Sequence, residues 1–350
     1  MKANKFSLIG VYLVFITGAL WGGNPDRQGE AGAYELLLNP WARSAGIHTL
    51  TTSMITGVES MRLNVAGLVH IPQTQVLIGH TRYLVGTGIN LNAIGVGQRL
   101  NKNGVLGLSL MAMDFGDIAV TTTDQPEGTG ATFSPNFFHL GLSYAHLFDN
   151  KVSVGFTLRA ISETTADLSA QGVAIDAGVQ YVTGEQDNFK FGISLRNVGT
   201  PMKFGGEGLS FRARNPDGTI NYDLSYDQRS ATFELPSVLN IGASYDINID
   251  TRNRLSLVGN FTSNSFSRDA IGAGVEYSFK DILMLRGAYR YDLGSNQDVV
   301  VNNVYSGIAA GVSLEVPFSE KNDTKFAIDY GYQATSTWNG THNLTLRFTL

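Results

Sequence analysis

The residues best equipped for chemistry are few, and their spacing does not suit it. His139 and Ser143 share parity on a strand-like stretch, yet four extended residues separate them by roughly 13 Å, too far for a base to activate a nucleophile. The six histidines are scattered without metal-ligand spacing, and the chain has no cysteine, which removes disulfides, thiolate zinc sites and iron–sulfur clusters. Asp114-Phe115-Gly116 spells the metal-binding tripeptide of kinases, but the Gly-rich loop and the His-Arg-Asp that must accompany it are missing. Gly86-Thr87-Gly88 and Gly272-Ala273-Gly274 lack the strand–turn–helix setting in which backbone amides cradle phosphate. The residues therefore imply no catalysis, no metal and no cofactor.

The charges tell more through their periodicity. Only 16% of residues are charged, and a net charge of −5 without any basic run argues against nucleic acid as a partner. Arg159, Arg196, Arg286, Arg290 and Arg347, with Asp176, Glu276 and Asp329, fall on one parity of alternating segments whose other parity is apolar. Confined to one face, they would form either a polar path or a set of ion pairs that brace a wall and pin whatever lies against it through Arg43, Glu35 or Glu59. The bracing reading is the simpler one.

What must position these residues is a set of strands. From Thr74 onward about fourteen alternating segments follow one another, each long enough for the roughly 9–11 residues of a tilted transmembrane strand. They lie near residues 74–84, 88–100, 104–114, 137–148, 151–163, 172–182, 188–198, 236–247, 254–262, 269–279, 282–291, 306–317, 324–334 and 342–350. Phe189, Phe191, Ile193 and Leu195 share one face, opposite Lys190, Gly192, Ser194 and Arg196. Reversing that register would press Lys190 and Arg196 against acyl chains at about 2–4 kcal/mol each near the midplane, so the apolar parity meets lipid. Val154, Phe156 and Leu158, Ile328 and Tyr330, and Leu344, Leu346 and Phe348 repeat the pattern.

The connections alternate in length as well. Asn101 to Gly104, Asp149-Asn150, Gly184 to Asn188, Asn248 to Asn253, Lys280-Asp281 and Pro317 to Asp323 read as tight turns, with residues 115–136, 164–171, 199–235, 292–305 and 335–341 as longer loops and shorter ones at 85–87 and 263–268. Outer-membrane barrels have short periplasmic turns and longer outer loops. The fold class is therefore all-β: a transmembrane antiparallel barrel of about fourteen strands in a bacterial outer membrane, surrounded by its lipid.

The segment before the barrel divides in two. Lys2 and Lys5, an apolar core from Phe6 to Ile16 and small residues at Gly18, Ala19, Gly22 and Gly23 make residues 1–22 a secretory signal. Residues 23–73 carry Leu36, Trp41, Val65, Leu68 and Ile71 without strand periodicity, and a fourteen-stranded wall at 74–350 leaves a lumen that side chains alone do not fill. We expect this segment to sit in the lumen as a hatch.

Two stretches of the hatch and several of the barrel resemble a known group. Glu35 to Arg43, Asn64-Val65-Ala66-Gly67-Leu68, Asp114 to Ile118, Gly172 to Gly178, Arg196-Asn197-Val198-Gly199 and Met202-Lys203-Phe204 resemble, in order, the PorV/PorQ family of type IX secretion proteins, itself similar to the FadL group of barrels. That resemblance implies fourteen strands, an N-terminal hatch with an Asn-Pro-Ala turn, and a non-enzymatic role as a shuttle or accessory. Its partners would be the C-terminal domains of secreted cargo and the translocon or attachment components. Val65 stands where the hatch proline usually lies, so the turn lacks its fixed φ. The cargo surface would be the aromatics of the long loop, Phe204, Phe211, Tyr222, Tyr226 and Phe233, although these residues equally suit packing of the loop itself. Arg43, Asn64, Val65, Ala66 and Gly67 would belong to the hatch. The alternative is a FadL-like transporter of hydrophobic small molecules, which requires an apolar pocket and an exit.

Overall fold

A computed structural model describes residues 23–149, 151–214, 222–294, 303–319 and 324–350; the expected signal at 1–22 lies outside them. Among the described residues, fourteen antiparallel strands close on themselves. In chain order they are β1 (Thr74–Arg82), β2 (Asn90–Arg99), β3 (Gly104–Asp114), β4 (Asn136–Phe148), β5 (Val152–Thr165), β6 (Leu168–Thr183) and β7 (Phe189–Gly199). After the long loop come β8 (Val238–Asn248), β9 (Arg254–Asn264), β10 (Ala270–Phe279), β11 (Leu283–Asp292), β12 (Tyr305–Ser319), β13 (Thr324–Thr335) and β14 (Thr341–Thr349). β14 pairs with β1 from Gln75↔Thr349 to Arg82↔His342, so no strand edge is left open to hydrocarbon.

Register fixes which side chains meet lipid. On β5 Phe156 is 54% exposed and Thr157 fully buried; on β7 Ile193 is 51% exposed and Ser194 is 1% exposed. The lipid parity of the sequence is the outer face throughout these strands. One expected loop is absent: residues 164–171 are almost all strand, and Ala166-Asp167 alone turn the β5–β6 hairpin, with Ala166 at φ 48°. The polar run Thr164–Ser169 pairs as a ladder that stands above the apolar band, where polarity marks water and not a loop.

The alternation breaks at one place in the wall. Between β6 and β7, Arg196 and Asn197 together oppose Asp176, a bulge in which Asn197 takes φ 60°. Both side chains consequently point inward, and Asn197 N–H donates to Asp176 Oδ1 at 2.7 Å. The Arg196-Asn197-Val198-Gly199 motif is the sequence of this bulge.

The segment before β1 threads the lumen. It forms short helical turns, among them α1 (Ala42–Ala45), α2 (Ser60–Leu63) and a 3-10 helix Val65–His70. Glycines on the inner wall let its backbone approach closely. A Cβ on Gly155 would lie 2.9 Å from the Val65 carbonyl, and one on Gly46 would lie 2.7 Å from the Gly311 Cα. Gly192 faces the Thr52 carbonyl and Gly178 faces the Asn64 side chain in the same way. Apolar hatch residues then bury against the wall: Trp41, Val58, Met61, Leu68 and Ile71 join Leu77, Leu91, Val105 and Met111 in one core. The hatch in the lumen is thus built by side-chain deletion on the wall and apolar packing from the plug.

Candidate functional site

The outer end of the lumen is identified by the long loops, and a cavity of about 290 Å³ opens there. Its walls come from the ends of β1, β3, β4 and β5 and from the start of the hatch: Tyr83, Met113, Phe115, Phe137, Ala33 and Leu38. Phe115 and Phe137 meet edge to face with centroids 4.8 Å apart. Leu38, Tyr83, Phe115 and Phe137 continue into the core beneath, so the cavity is the outer extension of the apolar packing between hatch and wall.

Two carboxyl groups interrupt this apolar lining, Glu35 of the hatch and Glu163 of β5, both nearly inaccessible to solvent. Burial first, and then the facing Glu163, pushes the Glu35 carboxyl up to about 8. His139 Nε2 lies 3.1 Å from Glu35 Oε1, and Arg62 Nη1 lies 3.5 Å from His139 Nδ1. Because a guanidinium only donates, Nδ1 must accept and Nε2 must carry the proton that it gives to Glu35. Arg62 also donates to the carbonyl oxygens of Leu38 at 2.9 Å and Glu35 at 2.7 Å.

The polar chain continues into the barrel. Arg196 donates to the Arg62 carbonyl at 2.8 Å, and Arg159 reaches the Met61 carbonyl at 3.3 Å while pairing with Asp176 at 2.5 Å. Burial, and then the positive charges of Arg159 and Arg196, lowers the Arg62 pKa well below its ordinary value. A buried ladder therefore links the outer cavity, through α2 of the hatch, to the β6–β7 bulge.

At the opposite end a polar cavity of about 330 Å³ lies among Arg43, His70, Gln75, Glu315, Lys325 and Arg347. Its charges are matched: Arg43 with Glu59 at 3.5 Å, Lys325 with Glu315 at 2.9 Å, and Arg347 with Glu315 at 3.1 Å and Asp329 at 3.4 Å. A third concavity, about 670 Å³, dents the lipid-facing wall between Phe191, Ile241, Phe261, Ile271 and Tyr289, where Gly259 opposes Ala273. The ladder of hydrogen-bonded partners is unbroken across it, so it is a groove in the wall and not an opening.

The structure places each expected residue. Arg286 pairs with Glu276 at 2.5 Å, and Arg290 lies 3.4 Å from Asp292. Asn64 is buried; its side chain accepts from Ala66 N–H and donates to the carbonyls of Thr52 at 2.8 Å and Val179 at 3.1 Å. These bonds hold the turn at Val65, where no proline fixes φ; Ala66 and Gly67 follow, buried, in the 3-10 helix. Arg43 meets Glu59 within the hatch itself. Ser143 hydrogen-bonds Thr157 at 2.7 Å and not a histidine. Among the described residues no cluster of three or more His, Asp or Glu could hold a metal ion. Glu163 and Arg62 were missed by the sequence reading. Glu163 is a charge on the inner parity of β5 just where that strand leaves the membrane, and Arg62 is a charge inside an apolar hatch run; both signals were available.

The fold and its plug define the class: a fourteen-stranded bacterial outer-membrane β-barrel whose lumen is occupied by its own N-terminal segment. No family model matches the chain, and no curated protein matches it. Solved barrels are similar in fold. The Pseudomonas putida toluene transporter TodX is 13% identical with a TM-score of 0.56, covering 89% of this chain and 97% of that one. A Pseudomonas aeruginosa FadL homologue is 12% identical with a TM-score of 0.54, covering 88% and 98%. The Ralstonia pickettii toluene transporter TbuX is 12% identical with a TM-score of 0.53, covering 89% and 97%.

These findings correct the resemblance to PorV/PorQ proteins. Two toluene transporters and a FadL homologue match over nearly their whole length with TM-scores above 0.5, and the type IX secretion role falls with its cargo, translocon and attachment partners. The motifs that suggested it have local explanations. Asp114-Phe115-Gly116 is a strand end where Asp114 Oδ1 accepts from Gly116 N–H at 2.9 Å, and the Arg196 motif is the bulge.

The loop aromatics expected to meet cargo take two kinds of place, inward against the hatch and outward on a hairpin. Phe204 and Phe233 lie 5.7 Å apart and pack inward on Leu36, Ile161 and Met202. Phe211 and Tyr226 stack across the hairpin Ser210–Arg214 with Asp223–Asp227, and Tyr222 lies exposed just before that hairpin's second strand. The loop is a cap tied to the hatch, since Gly32 N–H donates to the Glu234 carbonyl at 3.0 Å and Arg27 pairs with Glu234 at 3.2 Å.

Proposed function

We propose that this barrel admits small hydrophobic molecules across the outer membrane, binding them first in the apolar cavity at its outer mouth. The observation that carries this reading is that cavity: about 290 Å³, lined by aromatic and aliphatic side chains, reachable from outside and floored by the hatch. A dry cavity of about 150 Å³ already accepts benzene, so this volume suits one ring with a short alkyl tail. The similar solved barrels include two toluene transporters, which agrees with a ligand of that size.

In this reading residues 1–22 are the export signal, 23–73 the plug and 74–350 the wall. Arg43, Asn64, Val65, Ala66 and Gly67 seat the plug, and the lumen charges from Arg159 to Arg347 brace the wall around it. The partners are outer-membrane lipid and the transported molecule. Accumulation of radiolabelled toluene by cells that express the barrel should exceed that of cells carrying an empty vector. Leu38→Trp, which fills the cavity from the hatch side, should reduce that excess several-fold. Equal accumulation with and without the barrel removes the transport reading.

A further inference from the structure

On the outside of the wall, the seam where β14 closes on β1 carries polar side chains at a depth where its neighbours are apolar. Register orders the outward rows by height. Ile328, Leu346, Ile78 and Ile94 form one apolar row. One step towards the outer loops the row reads Tyr330, Leu344, His80 and Asn92, and the next reads Tyr332, His342, Arg82 and Asn90. His80 Nδ1 lies 2.8 Å from Asn92 Oδ1, level with Leu344 on one side and with Ala112 and Phe138 on the other. At the periplasmic edge of the same two strands, Thr74 donates to Gln98 at 2.7 Å. From Thr74 to His80 the strand runs roughly 20 Å, about 15 Å of height at the usual tilt, whereas the apolar band of a membrane barrel is about 25 Å tall. Outer-leaflet head groups must therefore dip to meet the wall here.

The groups left free in this notch decide what it can hold. Arg82 is exposed on the outward face, and its guanidinium has no ion pair or hydrogen bond among the described residues. Its neighbours are engaged: Tyr330 donates to His342 Nδ1 at 2.7 Å, His342 Nε2 faces the Asn339 carbonyl at 3.3 Å, and Asn90 donates to the Gly88 carbonyl at 3.0 Å. With its amide oxygen turned to His80, Asn92 keeps its Nδ2 donors for the lipid side. Arg82 and Asn92 are diagonal across the β1–β2 pair, about 7 Å apart, within reach of a single tetrahedral anion. Asp114, the acid in the Arg82 row, stands two strands away, roughly 10 Å, and accepts from Gly116 N–H. We propose that this notch seats the phosphorylated sugar head group of an outer-leaflet glycolipid, with Arg82 forked on a phosphate, Asn92 donating to the same group and an acyl chain lying over Ile78 and Ile94. A guanidinium matches phosphate in two parallel hydrogen bonds. A neutral head group would leave that charge unpaired beside hydrocarbon, and a free phosphate would lack the chain that holds it at this depth. The site lies outside the wall and does not depend on what crosses the lumen.

The test uses the full chain, purified in detergent and stripped of lipid, then incubated with diphosphoryl lipid A, its fully dephosphorylated form or phosphatidylglycerol. Native mass spectrometry counts the lipid retained. Wild type should hold diphosphoryl lipid A about fivefold better than either of the other two. Arg82→Gln should abolish that preference, Arg82→Lys should keep part of it, and Asn92→Leu should weaken it. Arg252→Gln, in the periplasmic turn between β8 and β9, should bind as wild type does. The compact band of each variant on an unheated gel reports that the barrel has closed, so a lost preference in a folded variant is a lost contact. Inorganic phosphate in large excess should leave the bound lipid in place. Equal retention of the three lipids by wild type, an undiminished preference in Arg82→Gln, or displacement by inorganic phosphate alone overturns the proposal.

Discussion

At the scale of single residues, the buried Glu35 makes stability depend on pH in a direction that can be worked out. Its carboxyl faces Glu163, His139 and Arg62, and burial raises it from the ordinary 4.5 to about 8. Between these values the folded chain holds a proton that the unfolded chain has released, so folding stability is fully present below 4.5 and is lost as pH rises through 8. Burial holds His48 and His70 down at about 4, so both are neutral above pH 7 whether the chain is folded or not. The window from pH 7 to 9 therefore isolates the acids. The temperature at which the compact band vanishes on unheated-versus-heated gel electrophoresis should fall across that window in wild type. Glu35→Gln should flatten the fall without removing it, because Glu59, also raised by burial, contributes with the same sign. A wild-type midpoint that is constant or rises from pH 7 to 9 contradicts the assignment.

At the scale of elements, strands were far more legible than the plug. Period-2 alternation is dictated by lipid on one side and packing on the other, and Lys190 and Arg196 admit only one register, so the wall could be read residue by residue. The β6–β7 bulge was not legible, since alternation says nothing of where one residue is inserted; only the adjacent inward pair Arg196 and Asn197 marks it. The hatch has no period to read, because its turns are fixed by contacts more than a hundred residues away. Asn64 is an example. Its side chain joins Thr52 of the hatch to Val179 of β6 and accepts from the buried Ala66 N–H; removing it takes away that acceptor and leaves the Thr52 carbonyl to Gln180 alone. Asn64→Ala should cost about 1–3 kcal/mol and appear as earlier loss of hydrogen-exchange protection in residues 50–70 than in β6. Uniform loss across plug and wall would mean that the two unfold as one unit and that Asn64 does not seat the plug separately.

At the scale of the whole molecule, the forty glycines acquire a reason that composition alone did not give: many are the space into which the plug fits. Neighbouring positions on one strand then have opposite consequences. Gly192 faces the Thr52 carbonyl across the lumen, whereas Ile193 faces lipid. A leucine at 192 cannot coexist with the hatch backbone in its present position, and the wall is closed by paired strands on both sides of it, so the plug must give way. Gly192→Leu should raise single-channel conductance in planar bilayers and sensitise cells to hydrophilic antibiotics too large for the plugged lumen. Ile193→Leu, one residue along and apolar on both occasions, should leave conductance and sensitivity unchanged. Should the two substitutions behave alike, the lumen is not sealed by contact between hatch and wall at this level. The route of a hydrophobic guest would then not require movement of the plug.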